Sequence, residues 1–367
     1  MSHDYVALLG NGVSLAYSPQ LRVANLTTEL ANEFDKLGAS EADVALKKLA
    51  EESRLDPLAG FESMLGPLET TARSLEALTD LAPLAATKSA AADVEKVRRF
   101  VETVHRTGLS IVLGKIAEYS KGAGATSFGA VDDFIHGLVS LAEPKRLSVA
   151  TLNYDGLTHA GLLKHGSPAD LALGYKKGRH EVVIGKPRIN GLKLRSVDDI
   201  PQQKSPIIQL HGSLGWLRSP DTGVVWSFNL EDLRKLDYWN ELKKGTATWT
   251  PVVVLTDQKE RTVMRRPFAL AYDILQDRLV SSNRWLVAGY GLGDKPVNEL
   301  FRTAFATRKR LQLPEPKILV VDYQLPDKDA HRVKAASSLG LPKSSIKVSN
   351  AGVPGVVTRP EWTRWAA

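Results

Sequence analysis

Four short stretches carry residues whose types and spacing could do chemistry. The first is Gly10-Asn11-Gly12-Val13-Ser14, directly after the apolar run Tyr5–Leu9. Glycines at a strand end let the backbone approach a phosphate closely, and a helix N-terminus beyond them favours negative charge. Leu15 stands where a dinucleotide fingerprint has its third glycine, and no acidic residue follows a second strand about 20 residues on, so a dehydrogenase is a poor fit. A tight turn without ligand fits this segment equally well. The second stretch, Thr151-Leu152-Asn153-Tyr154-Asp155-Gly156, puts a carboxamide and a carboxylate two residues apart at another strand end. In open α/β sheets ligands bind outside those ends, although Asn153 and Asp155 could also cap a helix or form an Asx-turn.

The third stretch is Ile207-Ile208-Gln209-Leu210-His211-Gly212. Of the eight histidines, His211 alone follows a buried-looking strand and precedes a glycine. An ordinary imidazole titrates near pH 6.5, which suits a general base at neutral pH. The other seven show no metal-ligand spacing. The fourth stretch, Gly289-Tyr290-Gly291-Leu292-Gly293-Asp294 after Trp285–Ala288, offers a second loop where backbone could touch ribose or phosphate. A glycine-rich turn between strand and helix is the plainer account. Asp322, after Ile318–Val321, could bind a ribose hydroxyl or cap a helix.

Positioning these residues takes a sheet. Six β-rich segments stand out: Tyr5–Leu9, Leu147–Leu152, Pro206–Leu210, Val252–Thr256, Trp285–Ala288 and Ile318–Val321. Most are continuous apolar runs, as strands read when both faces of a parallel sheet are covered. Helical patterns lie between several of them, notably Pro267–Val280 and Lys295–Lys309, so the expected fold is α/β, Rossmann-like, with a mostly parallel sheet. From Leu21 to Leu141 no strand is convincing, and Asp93–Tyr119 carries a helical stripe of Val94, Val97, Val101, Val104, Leu109, Val112 and Ile116. Asp56-Pro57 and Gly122–Gly124 read as breaks. The expected division is a Rossmann-like domain of residues 1–30 and 142–367 with an inserted helical module, 31–141.

Composition narrows the classes. Cysteine is absent, which excludes disulfides, cysteine nucleophiles, iron–sulfur clusters and thiolate zinc sites. No stretch approaches the roughly 18 apolar residues of a membrane helix, and no leader is evident at Met1–Gly12, so a cytoplasmic location is expected. The formal charge of +7 could favour anionic partners without demanding nucleic acid. Its most concentrated run is Lys176, Lys177, Arg179, His180, Lys186, Arg188, Lys193 and Arg195. That run reads as a solvated hairpin face or as a phosphate-binding surface, with only Tyr175 for stacking.

The order of these motifs resembles the sirtuin family, and within it the NAD-cleaving effectors of bacterial antiphage defence. Thr151–Gly156, Leu210-His211-Gly212-Ser213-Leu214 with Trp216, and Val287-Ala288-Gly289-Tyr290-Gly291-Leu292 with Asp294 are similar to that branch's forms. Phe61-Glu62 with Met64 and Leu65 resembles an element of its helical part. The likeness covers roughly 1–30 and 145–325. The four-cysteine zinc ribbon of protein-deacylating sirtuins cannot exist here, and Asn11 replaces their usual alanine. The resemblance therefore implies a metal-free NAD+ glycohydrolase that yields nicotinamide and ADP-ribose in an abortive-infection response. Carried over, Asn153 would hold the nicotinamide-side ribose and the attacking water, His211 would be general base, and Asp155 would contact the carboxamide. Gly10, Asn11, Gly12 and Ser14 would face the pyrophosphate; Gly289, Tyr290, Gly291, Asp294 and Asp322 would line the adenosine half. The branch also implies a homo-oligomer and a partner such as a HerA-family ATPase or a short Argonaute, through which nucleic acid could be contacted. A nucleic-acid-binding or nuclease subunit and an NAD-dependent deacylase are the alternatives.

Overall fold

The computed structural model describes residues 4–38, 40–55, 60–85, 88–121, 129–141, 146–166, 168–171, 179–184, 187–194, 205–255, 259–323 and 326–367. In chain order its strands are β1 (Tyr5–Leu9), β2 (Leu147–Thr151), β3 (Pro168–Ala169), β4 (Arg179–Val183), β5 (Arg188–Lys193), β6 (Ser205–Gln209), β7 (Gly212–Arg218), β8 (Val225–Phe228), β9 (Thr250–Val253), β10 (Arg284–Ala288), β11 (Lys317–Val321) and β12 (Ile346–Ser349). Seven form one parallel sheet in the order β12-β11-β10-β1-β2-β6-β3. The expected mostly parallel α/β architecture is what the chain adopts. After β1 the chain proceeds to β2 on one side and later returns to β10 on the other, so the order reverses between β1 and β10. Such a reversal opens a crevice at the carboxyl ends of the strands, where open α/β sheets bind ligands.

Register decides which residues meet there. Leu9 is level with Thr151 on one side and with Ala288 on the other; Thr151 is level with Gln209, and Ala288 with Val321. Gly10, Asn153, His211, Gly289 and Asp322 each follow one of these ends by one or two residues, so a single row of strand ends presents all of them.

The central strands β1, β2, β6 and β10 are buried on both faces, which is why they read as unbroken apolar runs. Tyr5, Ala7 and Leu9 belong to one apolar cluster, Val6 and Leu8 to the other. After helix Asn11–Tyr17, five further α-helices lie between β1 and β2 among the described residues: Val23–Asp35, Glu41–Leu55, Phe61–Ala85, Lys88–Tyr119 and Ala130–Val139. Their Leu30, Phe34, Leu46, Leu65 and Val112 join the cluster of Tyr5, Ala7 and Leu9, so these helices and one sheet face share a continuous interior. In the expected stripe, Val104, Leu109, Val112 and Ile116 are buried, whereas Val97 is exposed because the start of that long helix projects beyond the shared interior. The breaks expected at Asp56-Pro57 and Gly122–Gly124 lie outside the described residues.

The expected parallel strand at Val252–Thr256 needs correction. It begins earlier, as β9, and pairs antiparallel with β7 in a second, five-stranded sheet of order β4-β5-β8-β7-β9. A four-residue apolar run carries no record of its partner's direction, and Thr256 is outside the described residues. The basic run falls on the β4–β5 hairpin of this sheet. Arg188 and Lys193 are exposed, and Arg188 pairs with Glu181 at 3.1 Å; Lys176, Lys177, Lys186 and Arg195 lie outside the described residues. Among the described residues no helix is long and apolar enough to cross a membrane.

Candidate active site

β1 ends in Gly10, whose backbone N–H donates to the Ala288 carbonyl at 2.9 Å, and Gly12 N–H donates to the Gly289 carbonyl at 2.8 Å. A methyl group on Gly10 would lie 2.5 Å from the Gly289 oxygen, and one on Gly12 would lie 2.5 Å from the Gly289 Cα. Gly289 itself sits at φ +62°, a conformation that glycine adopts without strain. These three glycines therefore let two loops lock backbone to backbone across the β1–β10 crevice. Gly291 and Gly293, by contrast, face open space.

From β2, Asn153 turns back to this lock. Its Nδ2 donates to the Gly10 carbonyl at 3.0 Å and to Ser14 Oγ at 2.8 Å. The Ser14 hydroxyl donates in turn to Asp155 Oδ2, while Asp155 Oδ1 accepts from Leu157 N–H at 2.9 Å. With both amide hydrogens engaged, the Asn153 Oδ1 is oriented as an acceptor. Burial pushes the Asp155 carboxyl up, against the opposing pull of Ser14 and the Leu157 amide. Asp155 does cap the next turn, as its residue type allowed, and it also lines the cavity described below.

His211 stands where the chain leaves β6 for β7 and thus crosses from the parallel to the antiparallel sheet. Gly212, at φ +83°, makes that turn, and His211 C=O accepts from Val254 N–H at 3.0 Å. The imidazole is 4% exposed and stacks near the Tyr154 ring, centroids 6.4 Å apart. Its Nε2 lies 3.3 Å from Asp294 Oδ2. The two groups are in contact, but both atoms remain without an aligned hydrogen bond.

Asp294 has two tasks. Oδ1 accepts from Val297 N–H at 3.1 Å and caps helix Lys295–Arg310; Oδ2 faces His211 and, at 3.6 Å, Lys259 Nζ. Burial raises this carboxyl, but His211, Lys259 and the Val297 amide together outweigh it and hold the group below the ordinary aspartate range. Lys259 Nζ also meets Glu62 Oε2 at 2.7 Å, which ties the inserted helix Phe61–Ala85 to the site. The Tyr154 hydroxyl donates to the Val254 carbonyl at 2.7 Å and lies 3.3 Å from Glu62. Burial, then Glu62, pushes that phenol well up, so it stays protonated.

These groups surround a cavity of about 370 Å³, within the size range of small-molecule sites. Asn11, Asn153, Asp155, His211, Gly289, Tyr290, Gly291 and Asp294 all line it. Leu21, at the end of the short helix Pro19–Leu21, and Leu26 and Phe61, on helices Val23–Asp35 and Phe61–Ala85, roof it. Four expected site residues do not reach its wall. Gly10 and Gly12 are used in the loop lock, Ser14 is buried between Asn153 and Asp155, and Asp322 stands apart, 3.6 Å from His331 Nε2. Tyr290 turns its hydroxyl onto Asn298 and the Asp294 backbone, bracing its own loop. Asp294 sits beside His211 rather than at a distance from it. Lys259 escaped sequence reasoning altogether: it lies in a charged Lys-Glu-Arg run like any solvated helix start. Glu62 was visible only as part of a resemblance. Among the described residues no three His, Asp or Glu side chains are grouped to hold a metal.

A parallel α/β sheet with a polar cavity at its strand ends, walled by two glycine loops, a buried histidine and a capping carboxylate, gives the class: an open α/β fold with its candidate site at the switch point of the sheet. The chain belongs to the SIR2-like family: residues 147–341, just over half its length, match the SIR2-like domain. It is also similar to a solved structure from work on the structural basis for the mechanism and regulation of Sir2 enzymes. The identity is 15%, with 64% of this chain and 67% of the other covered and a TM-score of 0.33. No curated protein matches it.

Proposed function

We infer that the protein is an NAD+ glycohydrolase, with His211 as general base and Asn153 as the group that orients ribose and water. The observation that carries this reading is the buried pair His211 and Asp294, each with a polar atom lacking an aligned partner, on a cavity that also holds the oriented Asn153 Oδ1. The substrate fits such a set. Gly291 and Gly293 leave room for it, Asp155 can accept from a carboxamide, and Asp294 can balance positive charge.

In the reaction the bond between ribose C1′ and the nicotinamide nitrogen breaks, and its electron pair neutralises the pyridinium. The ribose takes on oxocarbenium character. Water held by Asn153 forms the new C1′–O bond and gives its proton to His211, whose imidazolium Asp294 stabilises across 3.3 Å. The sequence resemblance extends this reading to an antiphage effector that works in an oligomer with a sensor or ATPase partner.

The test is chromatography of NAD+ incubated with the purified protein, alone and with its genomic neighbour's product. Nicotinamide and ADP-ribose should appear, and His211→Ala should lower the rate by the 10²–10⁴-fold typical of a lost acid–base group. Turnover that survives His211→Ala would remove the assignment. Turnover that requires an acetylated peptide would favour a deacylase.

A further inference from the structure

The cavity wall carries a row of charges that begins outside the parallel sheet. Glu62 is the second residue of the inserted helix Phe61–Ala85, and its Oε2 meets Lys259 Nζ at 2.7 Å. Lys259 opens helix Lys259–Val263, and its Nζ lies 3.6 Å from Asp294 Oδ2. The same Oδ2 lies 3.3 Å from His211 Nε2. All four residues line the cavity, and among its described lining residues Lys259 is the one lysine or arginine. With Asp294 Oδ1 taken by the Val297 amide, Oδ2 is shared between an ammonium group and an imidazole. Once the imidazole is protonated, two cations compete for that oxygen, and a like charge nearby disfavours each of them. Lys259 stands closer to Glu62 than to Asp294.

We propose that Glu62 and Lys259 are positioning residues for His211: Glu62 draws Lys259 aside and so reserves Asp294 for the imidazolium that forms when His211 takes a proton. The inserted helix thereby tunes the base on the sheet. Asp294 registers the contest, since burial raises its carboxyl while His211 and then Lys259 pull it down. The other titratable groups around the row carry no competing charge. Tyr154, Tyr272 and Tyr290 are pushed up, first by burial, and stay neutral. Both oxygens of Asp155 are engaged, by Ser14 and by the Leu157 amide. Tyr154 gives Glu62 a second, uncharged route to the base, with its hydroxyl 3.3 Å from Glu62 and its ring beside His211. The catalytic meaning of this role rests on the glycohydrolase reading; the coupling between the side chains does not.

Nuclear magnetic resonance of the intact chain, labelled at histidine Cε1, tests it without any substrate. The His211 signal is assigned by its absence from His211→Ala, and its movement with pH gives a midpoint for each variant. Without the Lys259 ammonium, Asp294 serves the imidazole alone, so Lys259→Met should move the midpoint up. Without the Glu62 charge, Lys259 is free to close on Asp294, so Glu62→Gln should move it down. Each shift should be roughly half a pH unit or more. Lys259→Arg should stay near wild type, and Glu62→Gln should have little effect in the Lys259→Met background, as coupled residues behave. The acid limb of NAD+ turnover should follow the same order. Opposite shifts from two partly exposed partners do not arise from misfolding. The proposal fails if neither midpoint moves or if both move the same way. It also fails if Glu62→Gln acts as strongly without Lys259, which would make Tyr154 the route. Shifted midpoints in a chain that releases no nicotinamide would remove the glycohydrolase reading and uphold the coupling; nicotinamide release with unmoved midpoints would do the reverse.

Discussion

Replacing Gly289 with alanine isolates the lock between the two glycine loops. The new Cβ would stand 2.6 Å from Gly12 Cα, 2.8 Å from Gly12 C and 2.8 Å from Val13 N. All three are backbone atoms at the start of helix Asn11–Tyr17, so no side chain can swing away. Left-handed backbone at a non-glycine residue costs about 1–2 kcal/mol, and overpacking in a close-packed region adds about 1–3 kcal/mol. The sum is roughly 2–5 kcal/mol, or about 4–10 °C in melting temperature for a large domain. Gly291→Ala is the internal control, because its Cβ would meet nothing within 4 Å and its φ is not left-handed. Its stability should stay within about 0.5 kcal/mol of wild type, although it borders the cavity and should slow turnover. Circular dichroism during thermal and urea unfolding measures both. Equal melting of Gly289→Ala and wild type would refute the argument, as would equal losses in the two variants.

Ser14→Ala should leave Asp155 Oδ2 buried without its donor and Asn153 with one acceptor instead of two, destabilising the fold by about 1–3 kcal/mol; activity should fall further than stability explains, and Ser14→Thr should restore part of it. His105, lowered to about 4 chiefly by burial and then by Arg73, stays neutral in the fold. The unfolded chain therefore binds more protons between pH 6.5 and 4, and stability should drop by at most about 3 kcal/mol as pH falls through that window. His105→Gln should flatten the curve. EDTA should leave both melting temperature and NAD+ turnover unchanged, and tightly bound zinc in elemental analysis would contradict this.

The buried strands were legible because a strand covered on both faces leaves no polar alternation: β1, β2, β6, β10 and β11 all appear within a residue or so of their sequence positions. The antiparallel sheet was not. β4 and β5 are interrupted by charges and glycine and β8 is four residues long, so each resembles loop; β12, at the edge of the parallel sheet, was missed for a similar reason, since it alternates. Among site residues, those at strand ends could be read from position alone. Lys259 and Glu62 could not, since an ion pair between residues 197 positions apart has no periodicity to reveal it. Ser14 was visible as a residue but not as a bridge, because its partners lie about 140 residues away.

The apolar interior shared by the inserted helices and the sheet governs traffic to the cavity. Its roof residues Leu21, Leu26 and Phe61 are nearly fully buried. Lifting them together would return to water three side chains worth about 1.5–3 kcal/mol each. A raised roof is therefore populated at roughly one part in 10³–10⁶, since each 1.4 kcal/mol is a factor of ten. The wall beside Gly291 and Gly293, bare backbone facing open space, offers an entry that leaves the roof in place. A side chain at that threshold would act as a tollgate, changing how fast ligands enter and leave while leaving the interior, and so the melting behaviour, untouched.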